Sequence, residues 1–375
     1  MQKWLSLLPI TILLAGCADT VAPSRMSPDK PDLNVAVWGY DSDSDGIDDG
    51  TEWDLANRFA PVLNMPNLID HSQAGSTSGD WAWPATVDWY LPQVQMRMHH
   101  DNCPDHQILN VGSVSAYSIT RQSHQRAVSF YGCAHSGATY YSNRDWAAEN
   151  HFFLQPPNDA VHEGIHNPDA WKVYFHAYRN NIGGISIQYW FFYAYNDFAG
   201  GFNHEVDWEH INVKLRSDYT AEGAFFSAHD GGSYHGATDV QWQDVTHPRV
   251  WVADGSHASY NSFYKCNTTT VYGWYESCWD LPTQQWYTWS GGRGGNLGYQ
   301  GAGLVNIGEK ERPMAGQEWI QYSGRWGEVG NINGTSGPRG PGYQGNWTRD
   351  IYVYSGGGGG VECPPPNPYE IIPSC

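Results

Sequence analysis

The chain has 375 residues and a formal net charge of −19 at pH 7, with 16% charged and 15% aromatic residues and 42 glycines. So acidic a chain is not expected to bind nucleic acid, nor anionic lipid through electrostatics. Abundant aromatics and glycines with few long helical periodicities predict a mainly β fold, a large β-sandwich with long loops and a few short helices.

The N-terminus has the features of an export signal. A basic start and an apolar run from Trp4 to Leu14 precede Leu14-Ala15-Gly16-Cys17. This pattern predicts a lipoprotein signal peptide over 1–16 and a lipid anchor on Cys17, with an ordinary secretory signal as the alternative. Residues 17–40 would then tether an exported lipoprotein to the bacterial outer membrane or cell surface.

A calcium-binding loop is predicted at residues 41–52. Acidic residues occupy positions 1, 3, 5, 9 and 12, Gly46 occupies position 6, and Ile47 offers a backbone carbonyl at position 7. This spacing wraps oxygen ligands around a hard cation. The acidic ligands are Asp41, Asp43, Asp45, Asp49 and Glu52. The expected role of Ca²⁺ is to pin the tether to the domain.

The predicted β-sandwich domain covers residues 53–355 and is followed by a Gly/Pro-rich tail over 356–375. Helical spacing is confined to Trp53–Phe59, before Pro61. Strand-like stretches lie at 85–91, 126–133, 171–178, 185–195, 223–229, 249–254 and 349–354. The glycine-rich segments lack the Lys-Ser/Thr ending of a phosphate-binding loop, so nucleotide binding is not supported.

A second ion site is predicted where a strand begins after His204. Apolar and polar residues alternate from Asp207 to Leu215, which turns Asp207 and Glu209 toward the core. Buried carboxylates need a cation, either a metal ion or a buried ion-pair cluster with Arg or His. With Asp197 and His204 nearby, the ligand set favours Mg²⁺, Ca²⁺ or Mn²⁺ over zinc.

Two histidines are candidates for a general base or for a second-sphere partner of this ion. They are His229, in a Ser-Ala-His-Asp-Gly-Gly segment, and His257, in a Gly-Ser-His-Ala-Ser segment; a purely structural role is the alternative. His162-Glu163-Gly-Ile-His166 matches the zinc-peptidase pattern H-E-x-x-H. Gly164 and the prolines on either side argue against the continuous helix that this chemistry requires.

Six cysteines remain after Cys17 is set aside, and an even number in an exported chain predicts three disulfides. Pairing between sequence neighbours is the simplest of fifteen connectivities, and the sequence does not select among them. The residues are Cys103, Cys133, Cys266, Cys278, Cys363 and Cys375.

Motifs spread over residues 53–348 resemble the vacuolar protein sorting-associated family Vps62. They begin with Leu55-Ala-Asn-Arg-Phe-Ala-Pro-Val62 and Trp83-Pro-Ala-Thr-Val-Asp-Trp-Tyr90. Later matches are Asp207-Trp-Glu-His210, Ser227-Ala-His229, Ser256-His-Ala-Ser-Tyr260 and Gly324-Arg-Trp-Gly327. This resemblance implies a fold more than an activity.

The central stretch also resembles the necrosis-inducing (NLP) cytolysins, with their hallmark G-H-R-H-D-W-E. That family holds a divalent ion and docks on sphingolipid head groups, which implies the ligands Asp197, His204, Asp207 and Glu209 in this chain. Val206 replaces the family's second histidine and Glu205 its arginine. The resemblance therefore implies the ion site rather than the toxin activity.

Together these features predict an exported lipoprotein whose second ion site recognises a polar lipid head group or a glycan. Two rival functions remain open. One is a metal-dependent hydrolase of phosphodiester, lipid or glycan substrates, with His229 or His257 as the base. The other is a structural surface protein that uses calcium only for stability.

Overall fold

The computed structural model describes the following residues: 39–73, 79–99, 104–125, 129–130, 133–134, 139–144, 151–198, 202–229, 231–271, 273–279, 284–289, 298–299, 302–330, 334–345 and 347. Several predictions fall outside these residues: the signal peptide, Cys17, most of the 17–40 tether, Cys103, the strand at 349–354, and the 356–375 tail with Cys363 and Cys375. Of the strand predicted at 126–133, residues 126–128 and 131–132 also fall outside them.

The described fold is mainly β, as predicted. The strands are β1 (Val62–Asn64), β2 (Gln95–Met98), β3 (His106–Leu109), β4 (Ser123–Gln125), β5 (Ser129–Phe130), β6 (Cys133–Ala134), β7 (Thr139–Tyr141), β8 (Phe152–Gln155), β9 (Lys172–Arg179), β10 (Ile185–Asn196), β11 (His204–Leu215), β12 (Ala221–Ala228), β13 (Gly231–Gly236), β14 (Trp242–Gln243), β15 (His247–Val252), β16 (Ser259–Tyr260), β17 (Thr270–Val271), β18 (Trp274–Tyr275), β19 (Gln285–Tyr287), β20 (Gly298–Tyr299), β21 (Gly303–Asn306), β22 (Gly308–Glu309) and β23 (Arg312–Pro313).

Helices in the described residues are short. They are α1 (Asp49–Phe59), α2 (Val87–Tyr90) and α3 (Phe263–Asn267), with 3₁₀ turns at His71–Gln73, Leu91–Gln93, Asp159–Val161, Pro168–Ala170, Glu318–Gln321 and Pro341–Tyr343. No helix in this part of the chain is both long and apolar enough to cross a membrane.

One six-stranded sheet has the order β13-β12-β11-β10-β9-β21, and a second has β14-β15-β1-β19-β20 with β16 paired to β15. One face of β10 and β11 packs with α1, β1, β15 and β19 in a shared core that includes Ile187, Val213 and Val250. The opposite face packs in a second core with Met96 and Trp326. Because β10 and β11 are covered on both faces, their polar residues are also buried.

The strand predicted at 85–91 is wrong, because α2 and a 3₁₀ turn occupy this stretch. Thr86 caps α2, its hydroxyl accepting from the Trp89 N–H at 3.3 Å, and Asp88 lies in the first turn. A local cap of this kind outweighs the β propensity of a Val-Asp-Trp-Tyr stretch. The strands predicted at 171–178, 185–195, 223–229 and 249–254 coincide largely with β9, β10, β12 and β15.

Candidate functional site

The 41–52 loop leads directly into α1. Asp48 caps this helix, its carboxylate accepting from the Thr51 N–H at 3.1 Å. Gly46 has φ +85°, a left-handed conformation that favours glycine, and its N–H donates to Asp41 Oδ2 at 3.0 Å. The acidic side chains of the loop are thereby folded around a common centre.

Several carboxylate oxygens in this loop are buried and have no hydrogen-bond partner. Asp43 is 2% exposed and Glu52 is fully buried. The unpartnered atoms are Asp41 Oδ1, Asp43 Oδ1 and Oδ2, Asp45 Oδ2, Asp48 Oδ2 and Glu52 Oε1. Ligand atoms of Asp41, Asp43 and Asp49 lie within 4.8 Å of one another. Since buried polar atoms are nearly always satisfied, these oxygens fit a bound cation, and Ca²⁺ prefers such ligands.

The pKa shifts of the loop carboxyl groups also indicate that the loop needs a bound cation. Burial, followed by the charge of Asp45, raises the pKa of Asp43 to about 7. Burial is also the main cause that raises the pKa of Asp45 to about 6 and that of Glu52 to about 10. Without a cation these groups resist ionisation together, whereas a divalent ion would stabilise their charged forms.

The second predicted site begins at β11, where Asp207 and Glu209 are 7% and 5% exposed. They share a face with Ile211 and Val213, which pack in the core between the sheets. The alternation from Asp207 to Leu215 therefore correctly indicates carboxylates turned inward.

The cation that the structure places beside Asp207 is His257. Its Nδ1 is hydrogen-bonded to Asp207 Oδ2 at 3.1 Å, and its Nε2 lies 3.1 Å from Asp80 Oδ2. Burial lowers the pKa of His257, but the charges and hydrogen bonds of Asp80 and Asp207 raise it by more, to about 10. This arrangement matches the buried ion-pair cluster, the alternative to a metal ion.

His257 is firmly held and has no exposed surface. It has φ +52°, and its ring stacks on Tyr193 at a centroid distance of 3.7 Å and an interplanar angle of 8°. These contacts favour a role as internal countercharge for Asp80 and Asp207, and the role of general base for His257 stays a prediction.

Acidic groups around His257 outnumber it. Burial, then the charge of Asp207, raises the pKa of Glu209 well above its ordinary value, and the Ser227 hydroxyl donates to Glu209 Oε2. Burial, then the charge of Asp80, raises the pKa of Asp254 to about 7. Glu209 and Asp254 therefore resist ionisation in this region, even with His257 between Asp80 and Asp207.

The other two predicted ligands are engaged by protein groups. Asp197 accepts hydrogen bonds from Trp81 Nε1 at 2.6 Å and from Asn203 Nδ2 at 2.8 Å. His204 Nδ1 lies 2.8 Å from the carbonyl oxygen of Val206. Within the described part of the chain, three or more ligand atoms within 4.8 Å of one another are found in the 41–52 loop, not in the set 197, 204, 207 and 209. An ion at this set would therefore need these side chains to rearrange.

His229 is a more accessible histidine than His257. Its side chain is 25% exposed, and its Nε2 contacts the carboxylate of the buried Glu276. The Ser256 hydroxyl donates to the other oxygen of Glu276 at 2.9 Å. Sequence reasoning missed Glu276, Asp80 and Trp81, because each reaches the site through a long-range contact that no local pattern signals.

The H-E-x-x-H segment is not a helix. Gly164 has φ +72°, and a Cβ at this position would lie 2.1 Å from the carbonyl oxygen of Trp83. His162 stacks on Tyr195 and His166 on Trp83, so the two rings pack on different neighbours. The segment therefore lacks the one-turn spacing of two zinc ligands, as the sequence indicates.

A disulfide joins Cys266 and Cys278, the middle pair in the neighbour pairing. The disulfide closes a loop over residues 266–278, and this loop contains Glu276, the partner of His229. The pairing of Cys133 with Cys103 and that of Cys363 with Cys375 stay predictions.

No family model and no curated protein matches this chain, so the resemblance to Vps62 finds no support. Similar solved structures include Necrosis and Ethylene inducing Protein 2 from the causal agent of cocoa's Witches Broom disease. It is 17% identical, with coverage of 56% of this chain and 67% of that chain and a TM-score of 0.26.

NLPPya in complex with glucosamine and with mannosamine is also similar, at 15% identity in both cases. Coverage is 80% of this chain and 88% and 89% of those chains, with TM-scores of 0.31 and 0.32. These three solved structures are NLP proteins.

Proposed function

We propose that this is an exported calcium-binding protein in which Ca²⁺, held by the 41–52 loop, fixes the start of the β domain. One observation carries the proposal: buried carboxylate oxygens of Asp43 and Glu52 lack a hydrogen-bond partner and lie within one short loop. Leaving several such groups unsatisfied is costly, and Ca²⁺ with its six to eight oxygen ligands removes that cost.

Calcium titration by isothermal calorimetry tests the proposal. Wild type is expected to bind one Ca²⁺ tightly in this loop, and Asp43→Asn combined with Glu52→Gln is expected to abolish that binding. Affinity is expected to rise from about pH 6 to about pH 8, because the carboxyl groups must lose their protons to coordinate the ion. The pKa of Asp43, raised to about 7 without metal, lies in this range.

Asp54→Asn is the matched control, since Asp54 is exposed on α1 two residues beyond Glu52. It removes one surface carboxylate from the same helix without touching the buried oxygens. Equal calcium binding by wild type and by the Asp43→Asn/Glu52→Gln variant would reject the loop as the site.

For the acidic region around Asp207 we propose recognition of a polar lipid head group or a glycan, with a second Mg²⁺, Ca²⁺ or Mn²⁺ at Asp197, His204, Asp207 and Glu209. The excess of buried carboxyl groups over histidine supports a need for further positive charge. In the described structure no three ligand atoms of this set lie within 4.8 Å of one another, so this ion would bind only with local rearrangement.

An array of lipids and glycans, probed with excess divalent cation, measures this recognition. Wild type is expected to bind one class of head group or glycan, and Asp207→Ala with Glu209→Ala is expected to lose it. Asp218→Ala serves as the control because Asp218 lies on an exposed turn remote from the site. Binding that is unchanged in the double variant would exclude these carboxylates from recognition.

One observation favours hydrolase activity as a second candidate function. The partly exposed His229 is backed by the buried Glu276, a histidine–carboxylate pair that suits a general base. Turnover of a phosphodiester, lipid or glycan substrate that His229→Ala abolishes would support it. A protein with neither turnover nor ligand would fit the structural role, with calcium used for stability alone.

The proposed location is the cell surface or the outer membrane, through a lipid on Cys17. The residues that support it are the basic start, the apolar run and Leu-Ala-Gly before the cysteine. Metabolic labelling with a fatty acid, lost in Cys17→Ser, would detect the anchor.

A further inference from the structure

A distant hairpin contacts the 41–52 loop at two places. It comprises Asn306, at the end of β21, followed by β22 and β23, and is named here the 306–313 hairpin. Asn306 Nδ2 donates to Glu52 Oε2 at 2.9 Å across a sequence separation of 254 residues. At its other end, Arg312 Nη1 donates to the Ser44 hydroxyl. The hairpin therefore spans the loop from position 4 to position 12.

Asn306 fixes the orientation of the residue that closes the loop. It is 7% exposed, and its side-chain oxygen accepts from the Gly308 N–H at 2.9 Å, which holds the amide in place. Its NH₂ group takes one oxygen of Glu52 and leaves Oε1 buried without a partner. Asn306 thus determines which oxygen of Glu52 is available to an ion.

Glu309 adds negative charge from outside the loop. Its carboxylate is held by Nε2 of the fully buried His176 at 2.9 Å, and the His176 ring stacks on Trp347 at 3.8 Å. Glu309 lies directly opposite Arg312 in the hairpin, and Arg312 is the residue that contacts Ser44 of the loop. Glu309 therefore belongs to the strand pair that contacts the loop.

We propose that the 306–313 hairpin is part of the calcium site, with Asn306 as the positioning residue for Glu52 and Glu309 as an added source of negative charge. The inference rests on the proposed calcium binding and extends it beyond the twelve loop residues. Ion binding at residues 41–52 then depends on the docking of a segment more than 250 residues later in the chain.

Calorimetry with Ca²⁺ alone tests the role of Asn306. Asn306→Ala is expected to weaken calcium affinity about tenfold or more, the loss typical when a residue that orients a metal ligand is removed. Asn64→Ala is the matched control, because Asn64 is also buried but hydrogen-bonds to Val250 and Gln285 instead of a loop residue. Its calcium affinity is expected to equal that of wild type.

Glu309→Gln provides the second test and keeps the shape of the side chain. It is expected to weaken affinity about fivefold at low ionic strength and less at high salt, as for loss of one charge near a divalent ion. Glu311→Gln is the control, since Glu311 lies in the same hairpin but is 73% exposed. Comparison of Glu309→Gln with Glu311→Gln tests whether the 306–313 hairpin contributes to calcium affinity, even if Asn306→Ala fails to fold.

Calcium binding by wild type and by the two variants separates the loop site from the role of the hairpin. A wild-type protein that binds no calcium would reject the proposed function itself. Tight calcium binding by wild type, with Asn306→Ala and Glu309→Gln matching it, would retain the loop site and overturn the role of the hairpin.

Discussion

Removal of calcium with a chelator is expected to lower the melting temperature of the wild-type protein by roughly 5 °C or more. A ligand at a hundred times its dissociation constant stabilises the folded state by about 2.7 kcal/mol. In a large domain each kcal/mol shifts the melting temperature by about 2 °C. The physical source is the group of buried, unpartnered oxygens of Asp43 and Glu52.

Differential scanning fluorimetry with excess Ca²⁺ and with chelator measures this shift. The Asp43→Asn/Glu52→Gln variant is expected to melt at the same temperature in both conditions, while Asp54→Asn should follow wild type. A wild-type melting temperature that does not respond to chelator, after the ion has been shown to be removed, would contradict the calcium account.

Replacement of His257 is expected to destabilise the protein more than any other single change among Asp80, Asp207 and His257. His257→Gln keeps a hydrogen-bonding side chain but removes the charge that lies between Asp80 and Asp207. Breaking a buried ion pair by removing one partner costs about 3–5 kcal/mol, because the remaining charge is left uncompensated. The stacking on Tyr193 is lost as well.

The midpoint of urea unfolding, followed by tryptophan fluorescence in excess calcium, measures this loss. Asp207→Asn placed in the His257→Gln background should recover part of it, since one buried charge is then removed. His235→Gln is the matched control at a half-buried histidine elsewhere. A loss below about 1 kcal/mol for His257→Gln would show that His257 is not the countercharge of these carboxylates.

What the sequence predicts well is local. The 41–52 loop carries its acidic residues and its glycine within twelve residues, so spacing alone indicates a candidate cation site there. The inward direction of Asp207 and Glu209 follows from the period of two in a strand. Both expectations agree with the burial of these side chains.

What the sequence fails to predict depends on contacts between distant segments. His257 lies fifty residues from Asp207, and Asp80 reaches the same ring from the other side. No local pattern indicates that one histidine would be enclosed by two carboxylates, and so the sequence favours a metal there. At α2 the difference between prediction and structure is local. The β-branched and aromatic residues of this stretch favour a strand, but the cap formed by Thr86 starts a helix instead.

Anomalous diffraction from crystals grown in excess calcium tests the central claim most directly. The account predicts an anomalous peak inside the 41–52 loop, with oxygens of Asp41, Asp43, Asp45 and Glu52 about 2.3–2.6 Å from it. An ordered loop with no peak at this position would contradict the account.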